Sequence, residues 1–257
     1  MTEPLVLVVA DTHSGGITAL APPGFTTRDG RNIEASPEQL WLHDRWIQMR
    51  KDIKKRLIGR RRLIVFHLGD ATDGNHHQTV QALPDILDQE DMAVTLLDPI
   101  VEMADKFYYT YGTDAHEGDA AGSAERICAR LGIQEHGWEF RVRVGKHLHD
   151  ICHHGRTSVR DWSSMAAGVV VEVMMTSAQR GEPVPRFIWR GHKHQVDDSG
   201  DKFEACRALV VPGWQLRNAY IYKTSPNRIA PVGYGICDDG QVEIIRFHAK
   251  RSEIKIA

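Results

Sequence analysis

Five short apolar runs in this chain stop abruptly at residues able to bind a metal ion. LVLVVA (5–10) ends in Asp11-Thr12-His13, and LIVFHL (63–68) ends in Gly69-Asp70. FYYTY (107–111) leads to Gly112-Thr113-Asp114-Ala115-His116, HLHDIC (147–152) to His153-His154-Gly155, and RFIW (186–189) to Gly191-His192-Lys193-His194. Runs this short, rich in β-branched and aromatic residues, predict strands. Helix-like stretches lie between them at 37–58, roughly 85–105, 119–131 and 159–178. Strands alternating with helices predict an α/β sheet. Beyond residue 200 the runs ALVVPGW, NAYIYK, VGYGICDD and QVEIIRF are shorter and broken by Pro, Gly and Asp, which predicts β-hairpins completing a second sheet. The Gly-, Pro- and Thr-rich stretch 14–36 reads as the most mobile loop.

No repeat or linker interrupts the pattern, and 257 residues at 42% hydrophobic content suffice for one large domain, residues 1–257. The 32 Lys and Arg against 34 Asp and Glu give a net charge of -2, without the basic excess of a protein that coats nucleic acid. Four scattered cysteines, with no C-x-x-C pair, predict reduced thiols and argue against a zinc ribbon. The first apolar run lacks the flanks of a signal peptide, and no stretch reaches about 20 apolar residues. A soluble, cytoplasmic protein without membrane contact is expected.

In α/β sheets ligands gather at the carboxyl ends of strands. One D-x-H or one Gly-Asp is weak, but five such endings in succession point to one site. In extended backbone, side chains two apart share a face, so His192 and His194 are predicted to converge. Carboxylates and imidazoles without thiolates suit Mn, Zn, Fe or Ni. There are more candidate ligands than one ion needs, and a carboxylate bridging two ions about 3.5–4 Å apart would use them. Asp70 is the expected bridge.

The ordered set D-x-H (Asp11, His13), G-D (Gly69, Asp70), a G-N-H-like element (Gly112 to His116), a histidine (His153 or His154) and G-H-x-H (His192, His194) resembles the calcineurin-like metallophosphoesterase superfamily, over residues 6 to 194. GDATDGNHH (69–77) and the modest length resemble short members carried by bacteriophages. The resemblance implies a four-layer α/β/β/α sandwich with two mixed sheets, a dinuclear centre with Mn foremost, and hydrolysis of phosphate mono- or diesters by a metal-activated hydroxide. It implies that Asp11, His13, Asp70 and His194 hold one ion. Asp70, the residue standing for the motif's Asn, His153 or His154, and His192 would hold the other. Here the family pattern is broken: no asparagine follows Gly112, so Thr113, Asp114 or His116 takes that position. Asp114 is the preferred ligand, His116 the preferred proton donor, and His153 is preferred over His154.

His76 and His77, on the loop after Asp70, and Arg156, past the histidine doublet, are candidates to bind the substrate phosphate, with solvated loop residues as the alternative. His67 is read as buried beside the site, and Trp46, Trp189 and Trp214 as core. A phosphodiesterase, acting on a nucleic acid, a nucleotide or another diester, is the expected activity. A phosphomonoesterase and a catalytically weak binding scaffold are the alternatives.

Overall fold

The computed structural model describes residues 3–59, 61–75, 80–154, 165–218 and 230–249. Five strands lie where the apolar runs predict them: β1 (Leu5–Val9), β4 (Leu63–His67), β5 (Lys106–Thr110), β8 (His147–Cys152) and β9 (Phe187–Arg190). The first three pair in parallel, with β6 (Glu135–Gly137) beyond β5. On the other edge β12 (Val232–Asp238) pairs antiparallel with β1 and turns back into β13 (Gln241–Phe247), giving the order β13-β12-β1-β4-β5-β6. The second sheet runs β10-β11-β9-β8-β7, with β7 (Glu139–Val144), β10 (Asp197–Asp198) and β11 (Arg207–Val210). It too mixes parallel pairs, β8 with β9 and β9 with β11, with antiparallel ones.

Side-chain alternation along the central strands creates the layers. Leu5, Leu7 and Val9 face α1 (Pro37–Arg56), α2 (Ile86–Val101) and α4 (Gly122–Leu131), packing with Trp46, Met92, Leu97 and Ile127. Val6, Val8 and Ala10 face the second sheet and pack with Ile151, Phe187, Trp189 and Leu209. On the far side of that sheet Ile188 and Ala208 meet Val169, Val170 and Val173 of α5 (Met165–Arg180). The order is therefore helices, sheet, sheet, helix, the α/β/β/α sandwich expected. Local chemistry agrees: Ser36 and Gln39 form a reciprocal capping box before α1, and Pro37 opens it.

The tail is a partial correction. Its ALVV segment enters the second sheet as β11, but the hairpin β12–β13 extends the first sheet instead. One face of β12, Tyr234 and Ile236, joins the helix-side core, while Gly235 lies against Trp189, so this strand is built to be covered on both sides. Most of NAYIYK and the predicted helix start at 159–164 lie outside the described residues. The stretch 14–36 is more ordered than expected: it holds a hairpin of β2 (Gly24–Thr26) and β3 (Asn32–Glu34), and residues 11–16 are buried. Trp46, Trp189 and Trp214 are fully buried and all four cysteines are free. Among the described residues no helix is long and apolar enough to cross a membrane.

Candidate metal centre

The carboxyl ends of β1, β4, β5, β8 and β9 meet at one place. The parallel ladder of β1 and β4 continues past both strands: Asp11 N–H donates to Gly69 O at 3.0 Å and His13 N–H to Asp70 O at 3.1 Å. The second sheet is tied in where His192 N–H donates to the Asp11 carboxylate at 3.0 Å, and Gly191 N–H to His153 O at 3.1 Å.

Backbone conformation here departs from strand geometry. Asp11, His13, Asp70, His192 and His194 all have positive φ, between 46° and 67°, five of the eight such non-glycine residues among those described. Left-handed backbone is unfavourable for side chains of this kind and concentrates where function over-determines it. It also overturns the expectation drawn from extended geometry at His-x-His. With φ of 67° and 48°, His192 and His194 do not share a strand face, and they join different groups. Two glycines permit the close approach: a Cβ at Gly112 would collide with the Asp70 carboxylate, and one at Gly191 would lie 2.9 Å from Asp11 Oδ2.

Four overlapping sets place ligand atoms within 4.8 Å of one another: Asp11, His13 and His194; Asp11, Asp70 and His153; His13, Asp70 and His116; and His153, His154 and His192. The histidine Nε2 atoms of His13 and His194 are 2.9 Å apart, with Asp11 Oδ1 3.4 Å from the latter. His153 bonds Leu68 O through Nδ1 and turns Nε2 toward Asp70 Oδ2 at 3.0 Å, without the alignment of a hydrogen bond. His116 likewise bonds Asp73 O through Nδ1 at 2.6 Å, leaving Nε2 3.9 Å from Asp70. An imidazole whose Nδ1–H is held by a carbonyl turns its Nε2 into the site, where that nitrogen can ligate a metal when deprotonated or donate a proton when protonated.

The electrostatics concur. Burial pushes the Asp11 carboxyl upward, but His194, His13 and His153 hold it well below the usual range; Asp70 is also held low, by His153, His116 and His13. Against burial, Asp11, Asp73 and Asp70 raise His13 to about 10, and Asp70 raises His153 to about 9. Burial drops His192 and His67 to about 3, so both stay neutral. Two buried carboxylates thus attract positive charge, which divalent cations can supply, and the O and N donor set fits such ions.

Asp114 is placed differently from the expectation. It opens the short helix α3 (Asp114–Glu117), is exposed, and stands in none of the four sets. Thr113 uses its N–H, at 2.7 Å, and its hydroxyl, at 3.2 Å, on Asp70 Oδ1. His76, His77 and Arg156 lie outside the described residues. His67 is fully buried, stacked on Tyr109 at 4.6 Å. Two site residues carried no spacing signal. Buried Glu117 accepts from Ala71 N–H at 3.1 Å, Gly112 N–H at 2.6 Å and the Tyr109 hydroxyl, tying the loops after β4 and β5 together; burial and Asp70 raise it to about 7. Asp73 faces His13 Nδ1 at 3.5 Å with its carboxylate while its carbonyl holds His116.

Beyond His154 a cavity of about 590 Å³ opens between the second sheet and α5, with Arg141, Asp150, Cys152 and Arg190 in its wall. Asp150 pairs with Arg190 at 2.7 Å and with Arg141 at 3.2 Å.

No family model matches the sequence, and no curated protein matches it. Solved structures similar to it include an archaeal phosphodiesterase at 11% identity, covering 95% of this chain and 99% of that one, TM-score 0.46. A Vps29 variant from Entamoeba histolytica is 13% identical, covering 96% and 99%, TM-score 0.42. A predicted phosphoesterase from Streptococcus pneumoniae is 11% identical, covering 96% and 99%, TM-score 0.38. At such identities what those proteins do is not carried over to this chain.

Proposed function

We propose that this chain is a metal-dependent phosphoesterase of the calcineurin-like metallophosphoesterase superfamily, cleaving phosphodiester bonds. The observation that supports it most is the position of Asp70. Its carboxylate lies within 4.8 Å of ligand nitrogens of both His13 and His153, two histidines that would hold different ions. Asp11, His13 and His194 with Asp70 would hold one divalent ion, and Asp70, His153 and His192 the other, Mn first, with Zn, Fe or Ni fitting the same donors. Bound there, such ions supply positive charge against phosphoryl oxygens and lower the pKa of water for in-line attack.

The chain's own groups do the rest. His116, protonated, keeps Nδ1–H on the Asp73 carbonyl and can give its Nε2 proton to the leaving oxygen. Thr113 holds the Asp70 carboxylate through its N–H and hydroxyl, and Glu117 ties together the loops after β4 and β5. His76, His77 and Arg156 are proposed to meet the phosphate. A near-neutral chain lacks the Lys and Arg contacts that hold long duplexes nonspecifically, so a nucleotide or an accessible single diester fits better than bulk duplex.

The test is turnover of bis-p-nitrophenyl phosphate against p-nitrophenyl phosphate by the Mn-loaded chain, with metal content measured alongside. The diester is expected to be preferred. Preference for the monoester would replace this reading with a phosphomonoesterase, and metal uptake with turnover of neither would replace it with a binding scaffold.

A further inference from the structure

We propose that His154 completes the second metal position, the one built on Asp70, His153 and His192, in the role that Asp114 does not fill. This rests on the metal-dependent reading above and goes beyond it in naming a ligand.

The three imidazoles of His153, His154 and His192 each bring a nitrogen within 4.8 Å of the others. Their rings form a closed triangle, with centroids 4.9 Å apart for His153–His154, 5.1 Å for His153–His192 and 4.9 Å for His154–His192. Three imidazoles packed this tightly with no acidic side chain in the set repel one another when charged, and are compatible neighbours when neutral around a cation. Among the described residues no further His, Cys, Asp or Glu joins this set. Thr113 directs both its N–H and its hydroxyl to Asp70, and exposed Asp114 lies in none of the ligand sets. His116 stands beside His13, ring centroids 4.3 Å apart, with the group on the other flank of Asp70.

His154 can reach this position because β8 ends at Cys152. In a continuing strand, residues 153 and 154 would point to opposite faces. Here His153 stays buried against Asp70 while His154, exposed, turns its ring edge-on to His153 at 87°. One ligand is thus buried and one sits at the rim, where an ion could exchange.

The full chain, stripped with a chelator, would be titrated with Mn(II) by calorimetry, and with Co(II) while its visible absorption is followed. Wild type is expected to take up two ions. His154→Ala should take up the first as wild type does and the second at least about tenfold more weakly, since even outer partners of metal ligands are worth that much. Its Co(II) spectrum for the second ion should change, and Asp114→Ala should match wild type in both titrations. Two ions bound by His154→Ala with unchanged affinity and spectrum would overturn the assignment, as would loss of the second ion in Asp114→Ala. If His154→Ala fails to fold, His154→Gln replaces it with the same expectations. A wild-type chain that binds one ion would overturn the dinuclear reading itself, whereas two ions bound without hydrolysis would overturn the activity and leave this ligand set standing.

Discussion

Two carboxylates, buried Asp70 and partly buried Asp150, sit among cationic or basic side chains, and their surroundings differ in kind. Around Asp150 every partner is a hydrogen-bonded ion pair: Arg190 donates to Oδ1 at 2.7 Å and Arg141 to Oδ2 at 3.2 Å, while Arg141 also reaches Glu182 at 2.7 Å and Ser177 at 3.0 Å. The backbone there is ordinary strand. Around Asp70 the partners besides Thr113 are imidazoles: His153 brings Nε2 to 3.0 Å without hydrogen-bond alignment and His116 brings its Nε2 to 3.9 Å, while Asp70 itself and His13 lie in the left-handed region. The first arrangement closes on itself; the second gathers donor atoms that an added cation would join. Burial of charge alone does not separate a structural cluster from a functional one. The direction of the lone pairs and the strain carried to aim them do.

The largest expected effect is at Asp70. Asp70→Asn keeps the shape but removes the charge shared by both sets, so turnover should fall on the order of a thousandfold, about 4 kcal/mol of transition-state stabilisation. Bound metal should fall below wild type. Elemental analysis beside steady-state rates on bis-p-nitrophenyl phosphate checks this, and full metal with normal turnover would erase the difference between the two carboxylates.

Asp150→Ala should act on the other axis. It leaves Arg190, 7% exposed, as an uncompensated buried cation, and breaking a buried pair on one side costs about 3–5 kcal/mol. Denaturant unfolding should show that loss while metal uptake stays at wild-type level. Metal loss as deep as in Asp70→Asn would mean that the two clusters are one system.

The same comparison explains what could be read from the sequence. Strand endings were legible because an apolar run that halts at Asp or His leaves a signal of type and position, and Asp11, His13, Asp70, His153, His192 and His194 follow from it. The fold followed from the alternation of those strands with helices, but the sheet joined by β12 did not, because a strand covered on both faces shows no periodicity that chooses a partner. The divergence of His192 and His194 is not legible in the sequence, because alternation holds only for extended backbone and nothing local announces a φ of 67°. Asp114 looked like a ligand by chemistry alone; the turn of α3 that exposes it is four residues long and has no side-chain cap. Glu117 and Asp73 were invisible because a residue that supports two loops needs no fixed spacing from either, although the position of Glu117 beside His116 was a usable hint.

Glu117 gives the smallest and finest test, since it combines both kinds of carboxylate: fully partnered like Asp150, yet placed to tie together the loops that follow β4 and β5 at the site. Glu117→Gln retains one acceptor oxygen and sets an amide NH2 against either the Ala71 or the Gly112 N–H, so one buried donor loses its acceptor. Such a loss costs about 1–3 kcal/mol of stability. The β1–β4 ladder still fixes Asp11 and His13, because His13 N–H remains on Asp70 O at 3.1 Å, so the metal ligands stay together and saturating Mn should still load the site. What loosens is the loop after β5, which carries Thr113 and His116. Turnover should therefore fall about tenfold at full metal content, and more steeply on an alkyl diester that needs a proton from His116 than on a nitrophenyl diester that does not. Rates and metal stoichiometry measured on both substrates separate the outcomes. Equal losses on the two esters with a missing ion would place Glu117 in support of the metals rather than of the donor loop, and unchanged rates would show that the backbone ladder holds the site without it.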